Sequence, residues 1–358
     1  MDSGARRKPS PPAAPTAPPR ARVADVAREA GVSTATVDRV LHGRPNVRHA
    51  TVQKVLKAAA RLEYLPEDDF HARSAPAPMQ LAFLLPAGTN RYLRMLGDYI
   101  GYAEDVWAPF NARCRCHSID SFDPAVLAEA LLRHGRRADG VAFMGLEHPL
   151  VREAVDTLAA RGVPVVTLIS DLSHSRRVAY VGLDNRAAGR TAGTLIGRFI
   201  GPRAGKVAMI AGSLSYRGHE EREMGFLHVM RELFPDLVVV GLREGRDDAE
   251  TNYRLVRGLL EQHADLLGLY NIGGASDGVG RALKEAGREH EVVFVGHGLT
   301  SDTRVMLIDG TMDAVITQYP HTTVMNCVRV FANLRDGRDV MTGVEPVRIS
   351  IVLRDNLP

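Results

Sequence analysis

The sequence predicts a small all-α head followed by an α/β body of doubly wound parallel sheets, and three observations carry this. Residues 23–41, V-A-D-V-A-R-E-A-G-V-S-T-A-T-V-D-R-V-L, hold two apolar stripes at helical spacing on either side of a glycine. From Met79 onward, short apolar runs alternate with longer amphipathic segments, the pattern of strands buried in βαβ units. Charge divides at the same place. Residues 1–66 carry 12 Lys plus Arg against 5 Asp plus Glu, a balance of +7, so the rest of this chain of net charge +3 stands at −4.

Residues 1–20 contain six prolines (Pro9, Pro11, Pro12, Pro15, Pro18 and Pro19) among Ala, Ser and Arg. Such a composition has too little apolar surface to form a core, and a disordered tail is expected. In the head (21–66), Val23, Val26, Ala27 and Ala30 share one helical face, and Gly31 supplies the positive φ that commonly ends a helix. Ser33 can cap a second helix through its hydroxyl, with Val37, Val40 and Leu41 turned inward and Thr34, Ala35, Thr36 and Arg39 on or near the outer face. A third stripe, Val52, Val55, Leu56, Ala59 and Leu62, completes a small core. After Pro66 periodicity is lost through E-D-D-F-H-A-R-S-A-P-A-P, which reads as a linker over 67–78.

Two short helices joined this way form a helix-turn-helix, in which an α-helix enters the major groove of DNA and offers its N-terminal side chains to base edges. The basic balance of the head suits that partner, because Lys and Arg that neutralise phosphates release counterions. D-V-A-R-E-A-G-V-S-T-A-T-V-D-R-V-L, followed by T-V-Q-K-V-L-K-A-A-A-R-L-E-Y-L-P, resembles the headpiece of the lactose-repressor (LacI/GalR) family. The resemblance implies that Thr34 and Ala35 stand at the two base-reading positions, with Ser33 and Thr36 beside them and Arg39 one turn later. Lys57 is expected to meet phosphate. Asp38 replaces the usual Ser, and a carboxylate there repels phosphate or accepts from a cytosine amino group. Many members also carry N-x-x-A-x-x-L in the linker, a hinge helix whose Leu wedges into the minor groove. Here Phe70 falls at the Ala position and Arg73 at the Leu position, so either Arg73 enters a narrow groove electrostatically or the wedge is lost.

In the body the apolar runs are Leu81–Leu85, Gly140–Met144, Val163–Ile169, Val207–Ile210, Leu237–Val240, Leu266–Tyr270 and Val292–Val295. Helical patterns cover Pro124–Leu132, Pro149–Ala160, Ala187–Phe199 and Thr251–Gln262, and the alternating tail Val347–Arg354 returns as an edge strand. Doubly wound sheets bind ligands beyond the carboxyl ends of their strands. The polar residues there are Asn90 and Arg91, Glu147, Asp171, Asn271, His297 and Gln318. This mixture suits a carbohydrate: amides and carboxylates pair with hydroxyls, while an aromatic such as Tyr92 or Trp107 covers an apolar ring face.

Residues 79 to about 350 resemble the two-lobed sugar-binding domain shared by lactose-type repressors and periplasmic ribose-type binding proteins. The expected lobes are 79–183 with 320–347, and 184–318. R-E-M-G-F places Arg222, L-Y-N-I places Asn271 and A-V-I-T-Q-Y-P places Gln318 in ligand-binding roles by that resemblance. His297, in V-G-H-G, is read as standing where a carboxylate is usual, and Asp184 as a feature of the crossover between lobes. The implied fold is a helix-turn-helix head plus a periplasmic-binding-protein-like body.

Other chemistry finds little footing. G-x-S-x-G, H-E-x-x-H and Walker patterns are absent, and N-I-G-G-A-S-D-G-V-G-R-A-L departs from G-x-G-x-x-G. No catalytic residue, metal site or cofactor is expected, and Cys114, Cys116 and Cys327 read as reduced thiols. No apolar run approaches membrane-spanning length and no signal-peptide pattern opens the chain, so a cytoplasmic location is expected. The expected partners are a pseudo-palindromic DNA operator, a small carbohydrate or polyol effector and a second copy of the chain, with a tetramer left open. A solute-binding protein for transport and an α/β enzyme with an accessory head are the competing readings.

Overall fold

The computed structural model describes residues 21–42, 44, 47, 49–64, 77–119 and 122–358. It comprises two units, Met1–Ala77 and Pro78–Pro358. The proline-rich segment 1–20 and the linker residues 67–76, Phe70 and Arg73 included, lie outside the described residues.

In the first unit, α1 (Val23–Ala30) starts where the Asp25 carboxylate accepts the Arg22 backbone N–H at 2.9 Å. It stops at Gly31, whose φ is +67°. A Cβ there would meet nothing within 4 Å, so the left-handed backbone and not space calls for glycine. α2 (Thr34–Leu41) is capped by Ser33, whose Oγ accepts the Thr36 N–H at 3.2 Å. α3 (His49–Arg61) closes the bundle, and Val26, Val37, Val55 and Ala59 form its fully buried centre. Ser33→Ala removes the cap and is expected to cost about 1 kcal/mol, or about fivefold faster exchange of the Thr36 amide proton. Unchanged exchange would show that the cap contributes nothing.

The second unit begins with β1 (Met79–Pro86), α4 (Arg91–Tyr102), the single turn α5 (Glu104–Trp107), β2 (Ala112–Ile119), α6 (Pro124–Gly135), β3 (Gly140–Phe143), α7 (Pro149–Ala160), β4 (Val165–Leu168) and β5 (Ala179–Val181). These strands form one parallel sheet in the order β2-β1-β3-β4-β5. There follow α8 (Asn185–Ile200), β6 (Gly205–Ala211), α9 (Arg217–Leu233), β7 (Leu237–Glu244), α10 (Ala249–Gln262), β8 (Leu266–Asn271), α11 (Ser276–Glu285), β9 (Val293–His297), α12 (Ser301–Asp309) and β10 (Ala314–Thr317). The chain closes with α13 (Pro320–Arg335) and β11 (Ser350–Val352). The second sheet runs β11-β10-β9-β8-β6-β7, parallel except for β11, which pairs antiparallel with β10.

The chain passes between the two sheet layers three times, after β5, after β10 and after α13. Although α13 follows the second lobe in sequence, its Val324, Cys327, Val328 and Phe331 belong to the apolar core of the first. The second lobe buries apolar residues on both faces of its sheet, for example Val207, Met209 and Tyr270 on one and Ala208, Ile210 and Leu269 on the other. That alternation is what a parallel sheet covered by helices on both sides requires.

Within the second lobe α8 and α9 touch backbone to backbone. A Cβ on Gly189 would lie 1.9 Å from the Arg222 carbonyl oxygen, and one on Gly225 would lie 2.1 Å from that of Arg186. Trp107, expected as a cover for a ring face, is instead fully buried in the first core with Tyr99 edge-on at 5.8 Å. β2 has no counterpart among the apolar runs of the sequence. It is an edge strand whose exposed Arg113 and Arg115 alternate with the half-buried Cys114 and Cys116.

Candidate functional site

Two surfaces follow, one in each unit. On the first, Thr34, Ala35 and Arg39 are exposed along the start and one side of α2. Ser33 and Thr36 are less available: their hydroxyls lie 2.9 Å apart, and Ser33 is engaged by the cap. The Asp38 carboxylate is met by His42 Nδ1 at 3.0 Å and by Arg44 Nη1 at 3.5 Å, so its charge is balanced at the end of its own helix. Lys57 is exposed on α3.

In the second unit a cavity of about 50 Å³ lies between the lobes, walled by Asn90, Tyr92, Leu93, Met144, Ile169, Leu183, His219, Arg222, Gly273, Gly274, His297, Gly298, Ile316, Thr317 and Gln318. That volume holds a few waters. Asn90 caps α4, its Oδ1 accepting from the Tyr92 and Leu93 amides at 3.1 and 3.2 Å, while its Nδ2 donates across to Asp247 Oδ2 at 2.9 Å. Thr89 donates to the Asp247 carbonyl, and the Tyr92 hydroxyl to that of Gln318 at 3.2 Å. Arg91 lies 3.5 Å from both Asp277 and Asp302. The segment following β1 therefore holds the lobes together across the cavity.

Arg222 is set in the wall by the close approach of α8 and α9. It is 7% exposed; its Nε donates to Asn185 Oδ1 and its Nη1 to the Ile272 carbonyl, each at 2.8 Å. Burial lowers its pKa, and nearby Tyr270, Tyr180, Tyr92 and Asp247 act in the opposite sense. His297 Nε2 meets the Tyr270 hydroxyl at 2.7 Å, and burial, reinforced by Arg222 and His219, holds its pKa well below the ordinary histidine value. His219, with Nδ1 2.9 Å from the Ser213 carbonyl, is pushed down to about 4, mainly by burial. Both imidazoles are neutral at pH 7. Gln318 Oε1 is buried with no hydrogen-bond partner among the described residues. Ile169 holds φ +63°, uncommon for a β-branched residue, and its carbonyl accepts from Tyr180 Oη at 3.0 Å and Asn185 Nδ2 at 3.1 Å.

Of the effector residues expected from sequence, Asn90, Tyr92, Arg222, His297 and Gln318 come together here. Asn271 sits behind the wall, its Nδ2 donating to the Gly274 carbonyl and to Ser276 Oγ, both at 2.9 Å. Glu147 and Asp171 must be corrected: they line a different recess with Ser173, Asp184, Arg217 and Glu221. Glu147 accepts from the Ser173 amide at 2.5 Å and from Arg152 at 3.3 Å. Burial opposes the charge of Asp171, yet hydrogen bonds from Arg177 and Thr167 outweigh it and hold its carboxyl below the usual range. The walls at those two strand ends are Met144 and Ile169, closer to the strand than the polar residues singled out. His219 went unnoticed; its only sequence signal is its place one turn before Arg222.

Residues 22–67 match the family described as "Bacterial regulatory proteins, lacI family", and residues 125–339 match "Periplasmic binding protein domain". Catabolite control protein A of Streptococcus mutans serotype c is 29% identical over 190 residues, covering 53% of this chain and 54% of the relative. Its namesake in Priestia megaterium is 27% identical over 209 residues, covering 58% and 60%. The chain thus spans little more than half the length of these relatives. GanP, a glucose-galactose binding protein from Geobacillus stearothermophilus, has a similar fold, with a TM-score of 0.71 at 22% identity over 79% of this chain and 100% of that one. Among the described residues no helix is long and apolar enough to cross a membrane. With more than half of the chain matched by its description, the protein belongs to the periplasmic binding protein domain family through its body, and its head at residues 22–67 is a DNA-binding domain of the kind found in bacterial regulatory proteins of the lacI family.

Proposed function

We propose that the protein is a sequence-specific DNA-binding transcriptional regulator, acting as a repressor, whose operator affinity is set by a small carbohydrate-like or polyol ligand held between the two lobes. The observation that carries this is the exposed Thr34–Ala35 edge of a capped helix within residues 1–66, which together carry a charge of +7, joined in one chain to a body whose lobes meet around a cavity walled by both polar and apolar side chains. A ligand that prefers one lobe arrangement changes DNA affinity by its differential affinity for the two states, typically about 1–3 kcal/mol. Names of relatives as regulators support the same reading. Two copies related by a two-fold axis would present two recognition helices to a pseudo-palindrome. The transport reading gains support from the fold of the body and none from the head.

The test is selection of bound sequences from random DNA, followed by footprinting. A dyad-symmetric site is expected. Thr34→Ala and Ala35→Gln should each redirect base preference in the half-site, with changes of about 1–3 kcal/mol per altered base pair. Lys57→Ala should weaken all sequences alike and reduce the salt slope by about 1. Binding no tighter than to bulk DNA at physiological salt would overturn the regulator reading, and a site without dyad symmetry would overturn the dimer.

A further inference from the structure

The walls of the interlobe cavity are unusual for a neutral sugar. Sugar hydroxyls are donors as much as acceptors, and a carboxylate answers two donors at once. No Asp or Glu lines this cavity. Glu147 and Asp171 are turned to Ser173 and Arg152, and to Arg177 and Thr167. Asp247 is buried nearby, and its two oxygens accept from Asn90 Nδ2 at 2.9 Å and the Gly274 amide at 2.7 Å. What the cavity does contain is a guanidinium. Arg222 is buried, donates only to neutral oxygens, and makes no ion pair with any carboxylate among the described residues. The two imidazoles beside it are neutral near pH 7, so the cavity wall carries one positive charge and no negative one.

We infer that the ligand of this cleft is an anion, a hydroxylated carboxylate such as an aldonic or uronic acid, with its carboxylate against Arg222 and a hydroxyl donating to Gln318 Oε1. This deepens the effector reading above and rests on it. A buried charge without a partner is unfavourable in a low-dielectric site, and a carboxylate both cancels it and forms charge-assisted hydrogen bonds about twice as strong as neutral ones. A polyol would leave Arg222 with only the indirect counter-charge of Asp247, whose carboxylate is committed to Asn90 and the Gly274 amide. The buried, partnerless acceptor on Gln318 accounts for the hydroxyl: a bare carboxylate has no donor to offer it.

Matched pairs test this on the full chain, by calorimetric titration and by operator affinity with and without ligand: gluconate against glucose and sorbitol, galacturonate against galactose, glycerate against glycerol, at constant ionic strength. At least one acid is expected to bind ten times or more tighter than its neutral counterpart and to change operator affinity. Arg222→Gln should abolish that preference. If this variant does not fold, Arg222→Lys should retain the preference for the acid while weakening it, and Gln318→Leu should weaken acid binding without removing the charge selectivity. Equal binding of both members of a pair, or an acid preference that survives Arg222→Gln, overturns the anionic ligand and leaves the effector reading standing. Specific operator binding with no response to either class overturns the effector reading and this inference with it.

Discussion

Gly189→Ala is expected to destabilise the body by about 3 kcal/mol, at the upper end of the usual cost of overpacking. The new methyl carbon would lie 1.9 Å from the Arg222 carbonyl oxygen and 2.7 Å from its carbonyl carbon, and both are backbone atoms that no rotamer change can move. Alanine's better helix propensity returns at most about 1 kcal/mol, too little to compensate. α8 and α9 must separate by an ångström or more, and Arg222 travels with α9. Loss of the ligand response is therefore expected in whatever fraction remains folded. Gly258 in α10 is the control: nothing lies within 4 Å of a Cβ there, so Gly258→Ala should leave stability unchanged or raise it by up to about 1 kcal/mol. Urea unfolding followed by circular dichroism separates the two, and equal midpoints for both variants would refute the backbone contact.

The second large effect is one of pH. His219 has a folded-state pKa of about 4 against an ordinary 6.5, because the buried ring is held neutral. Below pH 6.5 the unfolded chain takes up a proton that the native state refuses, so the unfolded state is favoured as pH falls. The contribution is fully present above 6.5 and is lost on descent towards 4. Between pH 7.5 and 4.5 this amounts to about 2–3 kcal/mol for His219, and His297, shifted in the same direction, adds to it. Carboxylates such as Asp171, whose pKa is lowered, respond at still lower pH, below the usual carboxylate range. Unfolding of His219→Gln at the two pH values should show a smaller loss than the parent chain. An identical loss would mean that other groups carry the acid sensitivity.

The strands buried on both faces were legible because a parallel sheet between helices demands unbroken apolar runs, and Leu81–Leu85 and Val207–Ile210 supply them. Edge strands escape that demand. β2 exposes Arg113 and Arg115, and β5 is only three residues long, so neither leaves an apolar run. The resemblance named two positions that stand in the cavity wall, Arg222 and Gln318, and one, Asn271, that stands behind it with its Nδ2 committed to Gly274 and Ser276. The cleft was not legible at Glu147 and Asp171, because β3 and β4 end at Phe143 and Leu168 and the chain meets the cavity within one residue, at Met144 and Ile169. Polar residues farther along have already turned away. The spacing of Gly189, Gly193 and Gly197, every fourth residue of α8, was a signal for close helix packing that apolar periodicity does not register.

The place of α13 bears on how the protein is made. Its Phe331 packs in the first lobe against Gly140, where a Cβ would lie 2.6 Å from the ring, although the rest of that lobe is complete in sequence by Val181. A ribosome adds about 5–20 residues per second, so roughly 7–30 seconds separate the two segments during synthesis. Over that interval the nascent first lobe exposes the apolar floor that α13 will cover. The second lobe, translated in between, can assemble most of its sheet from consecutive strands before the first is sealed. Order of translation and order of completion are thus inverted, and the final docking event, late and long-range, is the step at which a chaperone or an osmolyte would most alter yield.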